Sequence, residues 1–373
     1  MAEGKADRVI RVAHILWDAR LGGIQKVVLD LGRAQAASGE VRPVVVFARA
    51  LGPLLEEFRR AGAEVHTLDF RSGYDVRPVL FLRLKHIFQR CDLIHLHSYN
   101  PVVARAAMAA GKPILYTEHG NFGFGRKLRW SEKVNMWLQS RFLNRRVDLL
   151  TFNSRFTGDI ARGRYGLEGV NIRLIYNGVD IEEVMRRSKL PSDLRLPGLV
   201  IGTTTRLAGG KRVMRLLEAF RQFRVGRQVH LLIVGDGPER EELESYCRKE
   251  GLTSSVTFAG AVSDPVPLQQ LMDLCVYPFY HEAFGLVAVE TLALGKPALV
   301  FRDGGGLAEI VEGVSPADVC EDEEDLLQRM GHWYHDPQGR AAFSAVAAGH
   351  AQSFSIAMMH TAMLKAYREV IVR

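Results

Sequence analysis

No uncharged apolar stretch in this sequence approaches the roughly 18 residues that a bilayer span requires, so a membrane-spanning reading is set aside. No secretory leader is expected either, because Arg8 and Arg11 interrupt the only early apolar run. Cysteine is scarce: Cys91, Cys247, Cys275 and Cys320 lie far apart, which argues against a disulfide or zinc framework. They are expected to be reduced core thiols, which favours the cytoplasm. Short repeats and low-complexity tracts are absent. Two nucleotide-binding fingerprints are also wanting. "GDGPER" carries Gly235 and Gly237, but Arg240 stands where a dinucleotide fold needs its third glycine, and "AGGKRV" has neither the leading glycine nor the hydroxyl residue of a Walker loop.

What is present is a chain of 373 residues, 47% of them apolar. That exceeds the usual reach of one hydrophobic core and predicts two domains of roughly 150 to 200 residues. Charge is uneven. Residues 1–190 hold 31 Lys+Arg against 19 Asp+Glu, a surplus of +12, and the remainder hold 18 against 23, or −5. A basic first half attracts phosphates, nucleic acid or an anionic membrane by the same field, and the sign alone does not choose among them.

Short β-branched runs alternate with helical patterns, the mark of parallel sheets wrapped by helices. In the first half the strands are expected in "RVIRVAHIL", "VRPVVVFA", "EVHTLDF", "DLIHLH", "PILYTE" and "VDLLTF". The second half repeats the scheme with "LVIGTTT", "QVHLLIV", "SVTFAG", "LCVYPF" and "PALVF". Between them "RRSKLPSDLRLPG" is charged, holds two prolines and has no period, so it reads as a linker. The expected fold is α/β, two Rossmann-like domains over residues 1–186 and 198–353, with residues 354–373 a last helix free to dock elsewhere.

The chemistry concentrates in "HEAFGLVAVE", residues 281–290. A strand-like run ends in a proline-aromatic turn, and a helix is expected from Phe284 to a stop at Gly295, leaving Glu282 in the loop and Glu290 about two turns inside. The N–H groups of Phe284, Gly285 and Leu286 would point from the helix end, where anions bind. Hydroxyls, a phosphate and hydroxyls again would satisfy the two carboxylates and the amides between them, and a sugar nucleotide has that order. "TTTRLAGGKR" places Arg206 and Lys211 at the end of the second domain's first strand, where open α/β sheets bind ligands and where two cations suit a diphosphate. "ARLGGIQK" sets the paired Gly22 and Gly23 at the corresponding strand end of the first domain, letting backbone amides approach phosphate. "FRDGGGLAEIV" offers a further glycine-rich helix entry at Gly304, Gly305 and Gly306.

"HEAFGLVAVETLALGKPALV" resembles the E-x7-E signature of the retaining family-4 glycosyltransferases, which have the GT-B fold. "TRLAGGKRVMRLLEAF", "LLIVGDGPER", "TFAGAV", "YNGVD", "DGGGLAEIV" and the final "FSIAMMHTAMLKAYREV" follow in the family's order over nearly the whole chain. The resemblance implies two Rossmann-like domains facing a cleft, the last helix crossing back onto the first domain, donor nucleotide mostly on the second domain and acceptor on the first. It implies that Glu282 holds donor-sugar hydroxyls, that Glu290 holds the ribose, and that the amides of Phe284, Gly285 and Leu286 meet sugar and phosphate. Arg206 and Lys211 would neutralise the departing diphosphate. Val262 matches the position near the base, and His119 in "YTEHG" matches the histidine that approaches the donor sugar. His281 stands where the family often has serine.

The expected activity is therefore retaining, metal-independent transfer of a hexose-type sugar from a nucleotide diphosphate sugar to a hydroxyl of a sugar, glycolipid or polysaccharide acceptor. No metal or other cofactor is expected. The rivals are a catalytically silent nucleotide-sugar-binding protein and an epimerase or phosphorylase-like enzyme of the same fold. No nucleic-acid recognition motif is visible. His95 and His97 alternate along a strand and are expected on opposite sides of it. "RKLRWSEKVNMWLQSRFLNRR", residues 126–146, carries seven basic residues and one acidic. Trp130, Val134, Trp137 and Leu138 recur at helical spacing, so this helix is expected to dock on its own domain through them. The alternative is contact with anionic lipid on the inner face of the membrane. "EDEED", residues 321–325, is expected to be the solvated start of a helix rather than a metal cluster.

Overall fold

A computed structural model describes residues 8–120, 122, 129–189 and 195–372. Residues 126–128 of the basic stretch and 190–194 of the expected linker lie outside the described residues. The chain forms two compact units, Met1–Gly178 with Ile356–Arg373, and Val179–Ser355. The helix Ile181–Arg187, placed with the first domain by sequence, joins the second unit, where it packs on the helix Leu286–Ala293.

In the first unit seven strands run β1 (Ile10–Leu16), β2 (Val41–Phe47), β3 (Glu64–Thr67), β4 (Leu93–Leu96), β5 (Ile114–Glu118), β6 (Leu149–Phe152) and β7 (Ile172–Leu174), in sheet order β3-β2-β1-β4-β5-β6-β7. Every pairing is parallel. The second unit holds β8 (Leu199–Thr204), β9 (Val229–Val234), β10 (Val256–Gly260), β11 (Leu274–Tyr277), β12 (Ala298–Phe301) and β13 (Val319–Cys320), in order β10-β9-β8-β11-β12-β13, again parallel throughout. Both orders reverse beside their first strand. Crossover helices then leave in opposite directions and a crevice opens at the strand C-termini.

The strands form because runs such as "VHLLIV" in β9 are buried along their whole length, as a sheet covered on both faces demands. All four cysteines are buried free thiols. The last helix, Ile356–Val372, returns to the first unit and packs against the helix Gly23–Ser38 with Tyr367 fully buried. Gly178 of "YNGVD" makes this possible: a Cβ there would come within 2.7 Å of the Ile356 Cα, and the Gly178 N–H points at the Met359 sulfur, 3.0 Å away.

The basic helix spans Trp130–Arg146, but its docking differs from expectation. Phe142 and Leu143 are its buried residues, while Trp130 and Trp137 are 79% and 57% exposed. Of the expected stripe Val134 and Leu138 are half-buried, but the helix is held mainly by its last turns and its tryptophans lie in water, Trp137 beside Arg141. "EDEED" is the start of the helix Glu323–His335, with Asp322 accepting from the Glu324 and Asp325 N–H groups.

Candidate functional site

Lys211 and Glu282 come together at the switch point of the second unit. The loop after β8 is pinned from outside by the "GDG" turn: the Leu207 N–H donates to the Asp236 carbonyl at 2.9 Å, and the Glu239 N–H returns to Leu207. This loop ends in a short turn, Gly209–Lys211, that accepts the Tyr280 N–H at 2.9 Å from the segment after β11. Two strand ends adjacent in the sheet are thereby tied, and the Lys211 ammonium reaches the Glu282 carboxylate at 2.5 Å. The ammonium also stands 4.1 Å from the centre of the Phe279 ring, a cation over an aromatic face.

Beside this pair lies another that the sequence reading did not single out. Arg212, with a positive φ of 49°, donates to Asp303 at 2.7 Å while its guanidinium covers Tyr280 at 4.2 Å. His281 next to it also adopts a positive φ, 50°, and its N–H donates to the Asp303 carbonyl. Histidine tolerates this left-handed geometry better than a branched residue would. The turn aims Glu282 back toward Lys211. The Glu282 backbone is then clamped on both sides, donating to Gly304 at 3.1 Å and accepting from Gly306 at 2.8 Å. Sequence could have flagged Arg212 and Asp303 only as charges flanking the glycine-rich turns.

The helix begins later than expected. Leu286 is its first residue, and Gly285 caps it with φ 103°, so Phe284 lies outside the helix with its ring buried against Phe354. Glycine is needed at 285 because a Cβ would lie 2.5 Å from Leu307. Of the three expected amides, those of the cap Gly285 and of Leu286 lie at the helix end while Phe284 precedes it, and the Ala288 N–H already bonds the Gly285 carbonyl. Glu290 lies inside the helix; the Arg187 guanidinium is held charged chiefly by its hydrogen bonds to Asp264, with the nearby Glu290 charge a smaller contribution. Arg206 is exposed on the loop after β8, and Val262 is 38% exposed after β10.

The first unit carries the remaining expected residues. Gly22 and Gly23 start the helix Gly23–Ser38 in extended and helical geometry, without the left-handed φ that would demand glycine. A cavity of about 390 Å³ opens at the ends of β1 and β4, its lining including Trp17, Ile24, Gln25, His97 and Tyr99. His119 follows β5 and is buried, with its Nε2 3.0 Å from His97 Nδ1. Burial pushes its pKa down to about 4, so the ring is neutral at pH 7. Glu118 beside it is buried too; desolvation raises its pKa while the Gly120 N–H and the Tyr165 hydroxyl hold it. His95 and His97 do not face opposite sides. Their ring centres are 4.1 Å apart, because strand residues two apart share a face.

Comparison with known proteins follows this division. Residues 21–183 match the model described as Glycosyltransferase Family 4, and residues 187–349 that described as Glycosyl transferases group 1. A D-inositol 3-phosphate glycosyltransferase of Paenarthrobacter aurescens is 27% identical over 94% of this chain and 93% of its own. Among solved structures, a glycosyltransferase from Rickettsia africae superposes with a TM-score of 0.79 at 16% identity, covering 97% of this chain and 99% of that one. Anabaena Alr3699/HepE, solved in complex with UDP and glucose, superposes at 0.77 and 21% identity over 96% of this chain and all of that one.

Proposed function

Because the chain belongs to the glycosyltransferases, its first lobe to Family 4 and its second to group 1, we propose that it moves a hexose-type sugar from a nucleotide diphosphate sugar to an acceptor hydroxyl, with retention and without a metal ion. The Lys211–Glu282 pair at the β8 and β11 ends carries this reading. A cation and a carboxylate that occupy each other in the absence of ligand are set to exchange partners, the ammonium taking phosphate and the carboxylate taking sugar hydroxyls. Arg206, exposed on the same loop, adds a second positive charge for the leaving diphosphate. Leu286 offers its helix-end amide, Glu290 is assigned to the ribose, and Val262 flanks the base. Basic side chains here do what a divalent ion does elsewhere. The solved relative that holds UDP and glucose supports a nucleotide donor.

The acceptor, a sugar, glycolipid or polysaccharide, is assigned to the first lobe. The cavity beside Ile24 and His97, walled by Trp17 and Tyr99, has the apolar faces and polar edges that sugar rings pack on. His119 is assigned to the donor sugar. The test is a panel of UDP, GDP and ADP sugars incubated with chelator present, reading released nucleoside diphosphate and the anomeric configuration of the product. Release that persists in chelator and gives a retained anomer supports the reading. Binding without turnover under every acceptor supplied would replace it with a silent binding protein, and loss of release on chelation would overturn metal independence.

A further inference from the structure

A buried polar stripe crosses the first unit's sheet, and its hydrogen bonds can be given a direction from one end to the other. The end is the Tyr116 carbonyl, which only accepts, and the Thr151 hydroxyl lies 3.5 Å from it. Thr151, once donating there, accepts from Thr117 at 2.7 Å, and Thr117 accepts from His95 Nε2 at 2.7 Å. His95 Nδ1 is left as an acceptor for the Tyr367 hydroxyl at 2.9 Å, whose oxygen takes the Gln35 Nε2–H at 3.1 Å. The amide of Gln35 therefore turns its oxygen to His14 Nε2 at 3.1 Å, so His14 donates from Nε2 and accepts at Nδ1. His97 Nε2 donates to that nitrogen at 3.0 Å, and His97 Nδ1 accepts from His119 Nε2 at 3.0 Å.

We propose that Tyr367, Gln35, His14 and His97 form a positioning relay that locks His119 as its Nε2–H tautomer and so presents Nδ1 as a fixed acceptor. Every member is buried, and the ring nitrogens of His14 and His97 are all engaged within the chain, which favours one direction. Three of the imidazoles, His14, His95 and His97, lie close enough to share a metal ion, but all six of their ring nitrogens are already engaged in this chain. Neutral rings are what such a chain requires, and burial holds all four histidines below their ordinary pKa. The last helix supplies Tyr367, so its return to the first unit sets the protonation pattern of a ring on a different element.

Taken with the reading that His119 meets the donor sugar, on which this consequence rests, the fixed acceptor specifies the ligand group: it must donate. A sugar hydroxyl suits it. A carboxylate, as in a uronic acid donor, offers only lone pairs and is disfavoured at that position.

The tautomers can be read without substrate. In the full-length protein labelled with 15N-histidine, long-range 15N–1H correlation should show His14, His95, His97 and His119 all protonated at Nε2 and bare at Nδ1. Tyr367→Phe cuts the link between the two arms and Gln35→Met removes the amide that joins Tyr367 to His14, and each should give both tautomers at His119 with the remaining amide spectrum preserved. A wild-type pattern of Nδ1–H, or a His119 tautomer unmoved in both folded variants, overturns the relay. Where transfer is measurable, kcat should fall in proportion to the fraction of His119 in the Nδ1–H form. If no nucleotide sugar is turned over, the functional reading fails by itself while the tautomer result still decides the relay.

Discussion

Lys211 serves two partners, the Glu282 carboxylate and the Phe279 ring, and a third, the diphosphate, is proposed to displace the first. Lys211→Met keeps much of the aliphatic stem and removes the charge. Loss of one group that stabilises developing charge costs on the order of 10²-fold to 10³-fold in kcat, so nucleoside diphosphate release should drop by about that factor, with the thermal melt little changed because the pair is half-exposed. An unchanged rate would remove Lys211 from the mechanism. Gly306 tests the geometry behind Glu282 rather than its charge. A Cβ there would sit 2.5 Å from the Ala283 carbonyl oxygen, so Gly306→Ala has to push the Glu282 segment away. Overpacking of this kind costs about 1–3 kcal/mol, and a lowered melting temperature together with weakened nucleotide-sugar binding by calorimetry is the expected pair of results.

At the scale of elements, the six first-half strands β1 to β6 were legible from their apolar or alternating runs, and so was the whole second-half set up to "PALVF". The edge strands β7 and β13 were not: three and two residues carry too few side chains to show a period. The start of the helix Leu286–Ala293 was misplaced by two residues because nothing local to "EAFGL" reveals that Gly285 takes a left-handed cap with no room for a Cβ beside Leu307. Nor could sequence foresee the polar stripe, since Gln35 and Tyr367 are 332 residues apart. The stripe has a measurable cost in acid. His14 and His119 titrate near 4 when folded and near 6.5 when unfolded, so below pH 6.5 the unfolded chain binds the extra protons. The stability these neutral rings permit is intact above about 6.5 and is lost as pH falls toward 4, on the order of 3 kcal/mol for each ring. Hydrogen exchange at β4 and β5 should accelerate over that window. His14→Gln, which removes one titrating group, should flatten the decline, and an equal decline in the variant would separate the stripe from acid sensitivity.

For the whole molecule, the asymmetry of charge between the two halves acquires a surface. In the first unit the tryptophans of the helix Trp130–Arg146 are exposed, with Arg141 5.1 Å from the centre of the Trp137 ring and Arg145 and Arg146 in the last turn. Indole rings in water beside guanidinium groups match the chemistry of a headgroup layer, where the ring enters the interface and the cation meets lipid phosphate. Each basic residue near an anionic surface contributes about 1 kcal/mol, and the attraction decays within a Debye length of about 8 Å at physiological salt. Binding to anionic vesicles should therefore weaken steeply as salt rises, while neutral vesicles should leave the protein in the supernatant. Trp130→Ser with Trp137→Ser should reduce what remains bound at high salt, because that residue of affinity comes from ring burial and is insensitive to screening. No helix among the described residues is long and apolar enough to cross a bilayer. A lipid-linked acceptor would then be met at the first unit, the lobe that holds the cavity assigned to it. Equal sedimentation with neutral and anionic vesicles would detach the basic helix from that role and leave its tryptophans to another partner.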